Sequence, residues 1–251
     1  MIKRSLITGF AASSILLSAV CCYAGTFTTF GPKAFTRGSG SPVAETASFN
    51  IKNPNTTYTL KVYNGGINSE YSKVSSAVIS LNGTAIYGPS DFNQQISTLQ
   101  KQVNVSQSNQ FQVELRSATG SGLTITIEGA DDTPPAVAVS SPADNAYLNT
   151  PAITATGTAS DSISWVNAVT VNGIGAAISG ESYSAGLQLS EGPNAITVIA
   201  TDAAGNTGNS SITVILDTIP PKITLDAVKT ITNNPQLSLT GKIDVERPLE
   251  V

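Results

Sequence analysis

Asp202 and Asn206 stand close together in Ala200-Thr201-Asp202-Ala203-Ala204-Gly205-Asn206, and Asp132 and Asp217 each open an Asp-Thr step just before a proline pair. Oxygen donors gathered in loops suit a hard cation, since calcium takes about six to eight oxygens from carboxylates and carbonyls. Asp132, Asp202, Asn206 and Asp217 are therefore the candidate calcium ligands, and an ion held there would stiffen a junction between modules. The sequence has no Asp-x-Asp-x-Asp-Gly loop of the kind that defines an EF-hand site. Asp202 and Asn206 also have a plainer use, shaping a turn through side-chain to backbone hydrogen bonds. Apart from calcium, no cofactor is indicated.

Aromatic rings are the second chemically capable group, because they can stack on sugars. Most of them lie before residue 130. Phe49, Tyr58 and Phe111 are in phase with apolar neighbours and are expected in a core. Tyr63 is out of phase with Leu60 and Val62, and Tyr71 and Tyr87 sit near turns, so these three are the candidate exposed platforms. Trp165 joins them as a candidate: its parity with Val169 and Val171 favours burial, but Asn167 interrupts that phase and permits a bulge. Single surface tyrosines are ordinary and need no function.

Catalysis finds less support. The chain has no histidine, which removes His-dependent triads, His general bases and the commonest zinc ligand. A glycosidase needs two carboxylates about 5–10 Å apart in a cleft, whereas Glu45, Glu70, Glu114 and Glu128 are spread over expected wet faces and turns. Glu114 and Arg116 share a strand face, which implies a surface ion pair of small weight. Gly38-Ser39-Gly40 and Gly120-Ser121-Gly122 precede no helix start and make no phosphate cradle. The expectation is that this stretch is not an enzyme.

The first residues assign a compartment. Lys3 and Arg4 precede an apolar stretch from Leu6 to Val20, and Cys22-Tyr23-Ala24 places small residues before Gly25. That pattern is a secretory signal peptide over 1–24 with cleavage between Ala24 and Gly25. The apolar stretch is short for a membrane span, so no membrane insertion is expected after cleavage. Val20 before Cys21, and Cys21 before Cys22, fit a lipobox poorly. Both cysteines leave with the leader, so disulfides are not available and the core must suffice alone. The chain carries 13 Lys and Arg against 17 Asp and Glu, a net charge of −4, and losing Lys3 and Arg4 makes it more acidic. Nucleic acid is not an expected partner, because phosphate binding needs clustered bases. The expected location is the cell surface or the extracellular medium.

The elements that must position these residues are strands. Val137/Val139, Ile153/Ala155, Val169/Val171, Leu187/Leu189, Ile196/Val198/Ala200 and Ile212/Val214/Leu216 alternate with polar residues, and a weaker strand falls at Ala177-Ile178. A period of two means one buried and one wet face. Asn172-Gly173 and Glu191-Gly192 sit where turns are needed. About seven strands without a helical pattern indicate an immunoglobulin-like sandwich over 131–217. Pro134-Pro135 and Pro220-Pro221 stand 86 residues apart, and Asn149–Gly157 is echoed by Asn233–Gly241. Two matches at nearly equal offset make an internal repeat. Residues 218–251 then form an incomplete second copy, about fifty residues short of the period. Either the chain is a fragment of a longer protein, or this piece adds a strand to another sheet.

Residues 25–130 form a different β unit. Leu60/Val62, Ala77/Ile79/Leu81, Phe111/Val113/Leu115 and Leu123/Ile125/Ile127 alternate, Asn82-Gly83 repeats the turn logic of Asn172-Gly173, and Asn109 before Phe111 echoes Asn194 before Ile196. The expectation is a jelly-roll-like sandwich, so the fold class is all-β, in tandem β-sandwiches.

The Asp-Thr-x-Pro-Pro linker, Val169-Thr170-Val171-Asn172-Gly173, Glu191-Gly192-Pro193-Asn194 and Ala200–Asn206 resemble bacterial immunoglobulin-like repeats, most of all the domain-B-type module of glucodextranase. Residues 25–130 resemble an N-terminal module of large exported multidomain proteins and are similar to galactose-binding-like sandwiches. The resemblance implies a non-catalytic module of an extracellular protein that spaces domains or assists attachment. The expected function is thus an exported modular scaffold in adhesion or domain spacing, with glycans or cell-surface and extracellular proteins as candidate partners. The alternative is a carbohydrate-binding accessory region of a larger extracellular enzyme.

Overall fold

A computed structural model of the chain describes residues 25–227, 236 and 238–244. The described residues contain no α-helix, as the strand-period alternation requires. The first unit has eight strands: β1 (Gly25–Thr36), β2 (Ala44–Asn50), β3 (Tyr58–Asn64), β4 (Ala77–Leu81), β5 (Thr84–Tyr87), β6 (Thr98–Val103), β7 (Ser108–Leu115) and β8 (Gly122–Asp131). They form two four-stranded sheets, ordered β1-β8-β3-β6 and β2-β7-β4-β5. Consecutive strands thus alternate between the sheets until β4 and β5 pair as a hairpin. That is the jelly-roll order, two antiparallel sheets whose inner faces make one core. Tyr58, Leu60 and Val62 of β3, Ile79 of β4, Phe111 and Val113 of β7 and Ile125 and Ile127 of β8 fill it.

The second unit continues with β9 (Ala136–Ser141), β10 (Tyr147–Leu148), β11 (Ala152–Ser160), β12 (Val166–Val171), β13 (Ile174–Gly175), β14 (Ala177–Ser179), β15 (Ser182–Gln188), β16 (Gly192–Asp202) and β17 (Thr207–Leu216). One sheet runs β14-β15-β11-β9 and the other β10-β17-β16-β12-β13, with β10 parallel to β17. This is an immunoglobulin-like sandwich. Its seven expected strands are present, joined by the two-residue β10 and β13. The core is built from Val169, Val171, Tyr183, Ile196, Val198 and Val214.

Short polar devices set the corners alike in both units. Asn82 and Gly83 have φ of 51° and 79°, and Asn172 and Gly173 of 48° and 80°, which is the left-handed pair that closes a tight hairpin. The Asn82 carboxamide accepts the Gln110 N–H at 2.9 Å, and that of Asn172 accepts the Thr197 N–H at 2.7 Å. Asn109 accepts from the Ser106 N–H and donates to its carbonyl, and Asn194 does the same with Ser190. In each case one carboxamide satisfies a backbone donor and acceptor in a loop that no ladder serves.

Beyond the second sandwich, β18 (Lys222–Leu225) and β19 (Gly241–Asp244) pair antiparallel with Leu225 opposite Gly241. In the complete repeat Val139 stands opposite Gly157, so the internal repeat preserves register as well as residue type. The glycine has a steric cause. A Cβ at Gly157 would lie 2.0 Å from the Ala138 carbonyl oxygen and 2.4 Å from the Tyr183 hydroxyl, and one at Gly241 2.5 Å from the Thr224 carbonyl oxygen. Gly157→Ala is therefore expected to force β9 from β11 and to cost about 1–3 kcal/mol, the usual range for overpacking, read as a lower urea midpoint of the second sandwich.

Candidate functional site

Three aspartates at strand ends meet where the two sandwiches abut. Asp131 ends β8, Asp161 follows β11, and Asp202 ends β16. Each turns one carboxylate oxygen back into its own loop. The Thr133 N–H donates to Asp131 Oδ1 at 2.9 Å. The Ile163 and Ser164 N–H groups donate to Asp161 Oδ1, each at 2.8 Å. The Ala204 and Asn206 N–H groups donate to Asp202 Oδ1 at 2.9 and 2.8 Å. These are Asx turns, which an aspartate at a strand end forms readily. They also fix where the second oxygen points. One carboxylate oxygen from each residue lies within 4.8 Å of the other two.

All three are buried, exposed by 1%, 4% and 1% for Asp131, Asp161 and Asp202. Asp131 Oδ2 and Asp161 Oδ2 are shut off from solvent and receive no hydrogen bond, while Asp202 Oδ2 accepts from Asn206 Nδ2 at 2.8 Å. Among the described residues the ion pairs lie elsewhere: Lys33 with Glu45, Lys61 with Glu128 and Arg116 with Glu114. Lys52 reaches the joint but donates to the Asp161 backbone carbonyl. Unit charges at the 4.8 Å outer limit of this cluster repel by about 3.5 kcal/mol at an effective dielectric near 20, and closer ones by more. The cluster therefore concentrates negative charge with Lys52 as the nearby cation, bound to a backbone carbonyl and, among the described residues, paired with none of the three carboxylates.

The walls come from both sandwiches. The Phe27 and Trp165 rings meet edge-on with centroids 5.6 Å apart at 87°, and Ile163, Ala203 and Ala204 pack against the core of the first unit. Asn53 Nδ2 donates to the Ser162 carbonyl at 3.3 Å, and Asn206 Nδ2 to the Asp131 carbonyl at 3.0 Å. Gly25 lies so close that a Cβ there would be 2.2 Å from the Ala204 carbonyl oxygen.

The structure sorts the expected site residues. Of the four candidate calcium ligands, Asp202 lies in the cluster, and Asn206 contacts it as a donor. Asp132 does not: it is exposed, and its neighbour Asp131 takes the inward position, because successive side chains leave a strand on opposite sides. Asp217 ends the opposite, β17 end of the second sandwich, where its Oδ1 accepts the Ile219 N–H at 3.2 Å. Asp161 was not foreseen, since nothing in Ser160-Asp161-Ser162 differs from an ordinary polar loop. Tyr87 is no exposed platform: it is buried beside Phe92 with ring centroids 6.3 Å apart. Burial, and secondarily the Asp91 charge, raise its pKa. Tyr71 is half-buried, and a Cβ on Gly122 would lie 2.7 Å from its ring. Tyr63 is half-exposed on the outer face of β3. Trp165 is 47% exposed and packs on the neighbouring sandwich rather than in its own core. Gly25 opens β1, and Ala24 lies outside the described residues.

Residues 135–218 match the family described as glucodextranase, domain B; this second unit is an immunoglobulin-like module. No curated protein matches the chain. Among solved structures, an engineered protein is 24% identical over 33% of this chain and 20% of its own, with a TM-score of 0.28. The fibronectin(III)-like modules of CbhA from Clostridium thermocellum are 19% identical over 76% of this chain and 93% of theirs, TM-score 0.28. A β-glycosidase from Bacteroides vulgatus is 13% identical over 81% of this chain, TM-score 0.28, and this chain spans 29% of its length.

Tyr58 reports on the joint from the first core. Its hydroxyl donates to the Asn53 carbonyl at 2.6 Å, and burial, followed by the Asp131 charge, pushes its pKa up to about 12. A phenol whose folded pKa exceeds its unfolded value near 10 contributes stability that is intact below pH 10 and lost as pH rises towards 12. Absorbance titration of the tyrosinates is expected to show this late group, with Tyr58→Phe flattening the alkaline loss of stability between those values.

Proposed function

We propose that this chain is an exported, non-catalytic modular scaffold acting in cell-surface adhesion or in spacing domains. The observation that carries this reading is the joint. Phe27 and Trp165 pack across it, Asn206 bonds the end of β8, and Lys52 and Asn53 hold the carbonyls of Asp161 and Ser162. Contacts of this kind fix one sandwich against the next, which is what a spacer requires and what a flexible tether lacks. Three acidic groups of the first sandwich support the non-catalytic part, since Glu45, Glu114 and Glu128 each pair with a Lys or Arg. The leader-like first residues support export to the cell surface or medium, where glycans and extracellular proteins are the partners available.

A second reading rests on one face of the first sandwich. Thr59, Lys61 and Tyr63 share the outer side of β3, and Thr59 and Lys61 line an open groove of about 390 Å³ with Thr57, Gln100, Gln102 and Glu128. The groove itself is lined by no ring, but its polar side chains suit sugar hydroxyls and Tyr63 on the same strand face offers a stacking surface beside it, an arrangement that would make the chain a carbohydrate-binding accessory region.

Both readings are separated by one set of measurements on the full chain. For a spacer, small-angle scattering fits a single fixed arrangement of the two sandwiches, Trp165→Ala loosens it, and insoluble polysaccharides retain no protein. Retention on a polysaccharide that falls tenfold or more in Tyr63→Ala, with the scattering unchanged, replaces the spacer by the accessory module.

A further inference from the structure

The carboxylates of Asp131, Asp161 and Asp202 have a chemistry that neither function above uses. We infer that they form a divalent-cation site, of the calcium class, shared by the two sandwiches. The inference stands apart from the choice between spacer and accessory module, because it rests on the cluster alone.

Two independent observations converge. The first is geometric: three acidic oxygens, one from each residue, lie within 4.8 Å of one another. The second is an unmet need. Asp131 Oδ2 and Asp161 Oδ2 are buried without a donor, on residues at least nine-tenths buried. A buried carboxylate oxygen is ordinarily hydrogen-bonded, paired or bound to metal. Here the loop N–H groups are already used on Oδ1 of both residues, and the ion pairs among the described residues involve other acids. A cation between the carboxylates supplies the missing partner for both oxygens and cancels their repulsion together.

The donor set chooses the ion. The ligands are oxygens, and the chain has no histidine, so a soft or nitrogen-seeking metal has little to hold. Calcium to oxygen distances of about 2.3–2.6 Å put opposite ligands of one ion about 4.6–5.2 Å apart, whereas magnesium at about 2.0–2.1 Å demands roughly 4.2 Å at most and holds its waters tightly. Oxygens within 4.8 Å of one another can all reach one ion of calcium's size, and calcium sheds its waters for such a ligand set more readily than magnesium does. Loop carbonyls and water complete the coordination. The ligands come from the end of β8 in one sandwich and from the end of β16 and the loop after β11 in the other, so the ion ties the units together.

The test uses the full chain, stripped with chelator and then titrated with calcium chloride by calorimetry. One site is expected, with a dissociation constant of about 10⁻⁵ to 10⁻³ M and at least tenfold weaker binding of magnesium. Trp165 is the chain's single tryptophan and stands at the joint, so terbium bound there is expected to luminesce on tryptophan excitation and to be displaced by calcium. Asp161→Asn keeps an oxygen for the Ile163 and Ser164 N–H groups and removes the charge. It is expected to lose calcium affinity tenfold or more. Its melting temperature in chelator should equal or exceed that of the unaltered chain, and fall below it in calcium. Asp131→Asn should behave alike. Absence of calcium heat and of sensitised terbium emission in the unaltered chain overturns the site. So does an Asp161→Asn variant that binds calcium unchanged, or one that melts lower by the same amount with and without the ion.

Discussion

Burying charge at a joint is the constraint around which these two sandwiches are arranged. Asp131, Asp161 and Asp202 are held inside by backbone N–H groups of their own loops, so their placement follows from the way three strands end. Each aspartate stands at or just past the end of its strand, one carboxylate oxygen captures the following turn, and the second oxygens of Asp131 and Asp161 are left buried without a donor. The Trp165 and Phe27 rings, with Ile163, Ala203 and Ala204, close water out around them. A low-dielectric surround strengthens repulsion between the carboxylates and attraction to any counter-charge by the same factor. The joint therefore responds to its ionic partner more steeply than an exposed acidic patch would.

The sandwiches themselves need no such partner. With neither thiol among the described residues, their stability comes from inner faces packed to exclusion of water and from corners whose polar groups are paired. The Asn109 and Asn194 carboxamides show how economical this is, each satisfying a donor and an acceptor of one loop and so fixing where the next core strand begins. The same device occurs in two different topologies, a jelly roll and an immunoglobulin-like fold. It is thus a solution to a local problem, entering a long strand from a loop, and says nothing about common function.

Much of this was legible in the chain. The strands of the second sandwich followed from alternation, and both Asn-Gly turns from the need for positive φ. Four strands of the first sandwich, β1, β2, β5 and β6, were not foreseen; β5 has only four residues, and the other three were hidden for physical reasons. β1 shifts register between Thr28 and Phe30 and again between Phe30 and Lys33, which destroys alternation around Gly31-Pro32. β2 and β6 are edge strands with largely polar, exposed residues, so they carry little apolar signal. The acidic site was half legible. Asp202 stood out by its turn, but Asp-Thr suggested Asp132 where the inward residue is Asp131. The proline pairs held the better clue, since Asp131 and Asp217 each stand three residues before the first proline. Ile219 is the extra residue that misaligns the Asp-Thr steps. Asp161 has no sequence signal, because only tertiary packing brings it to the others.

Aligned on the prolines, the second linker begins as the first does. Asp217 captures the N–H two residues on, as Asp131 does, and β18 pairs with β19 in the register of β9 with β11. Ile223, Leu225 and Ile243 then occupy the places of Val137, Val139 and Ala159. In the complete sandwich those three pack in or against the core, whereas Ile223, Leu225 and Ile243 are exposed by 66%, 61% and 64%. Among the described residues the pair thus presents an inner face that no second sheet covers. Its register is set by backbone pairing and by the glycine opposite Leu225, not by burial, so the pairing of these two strands is specified more locally than their packing.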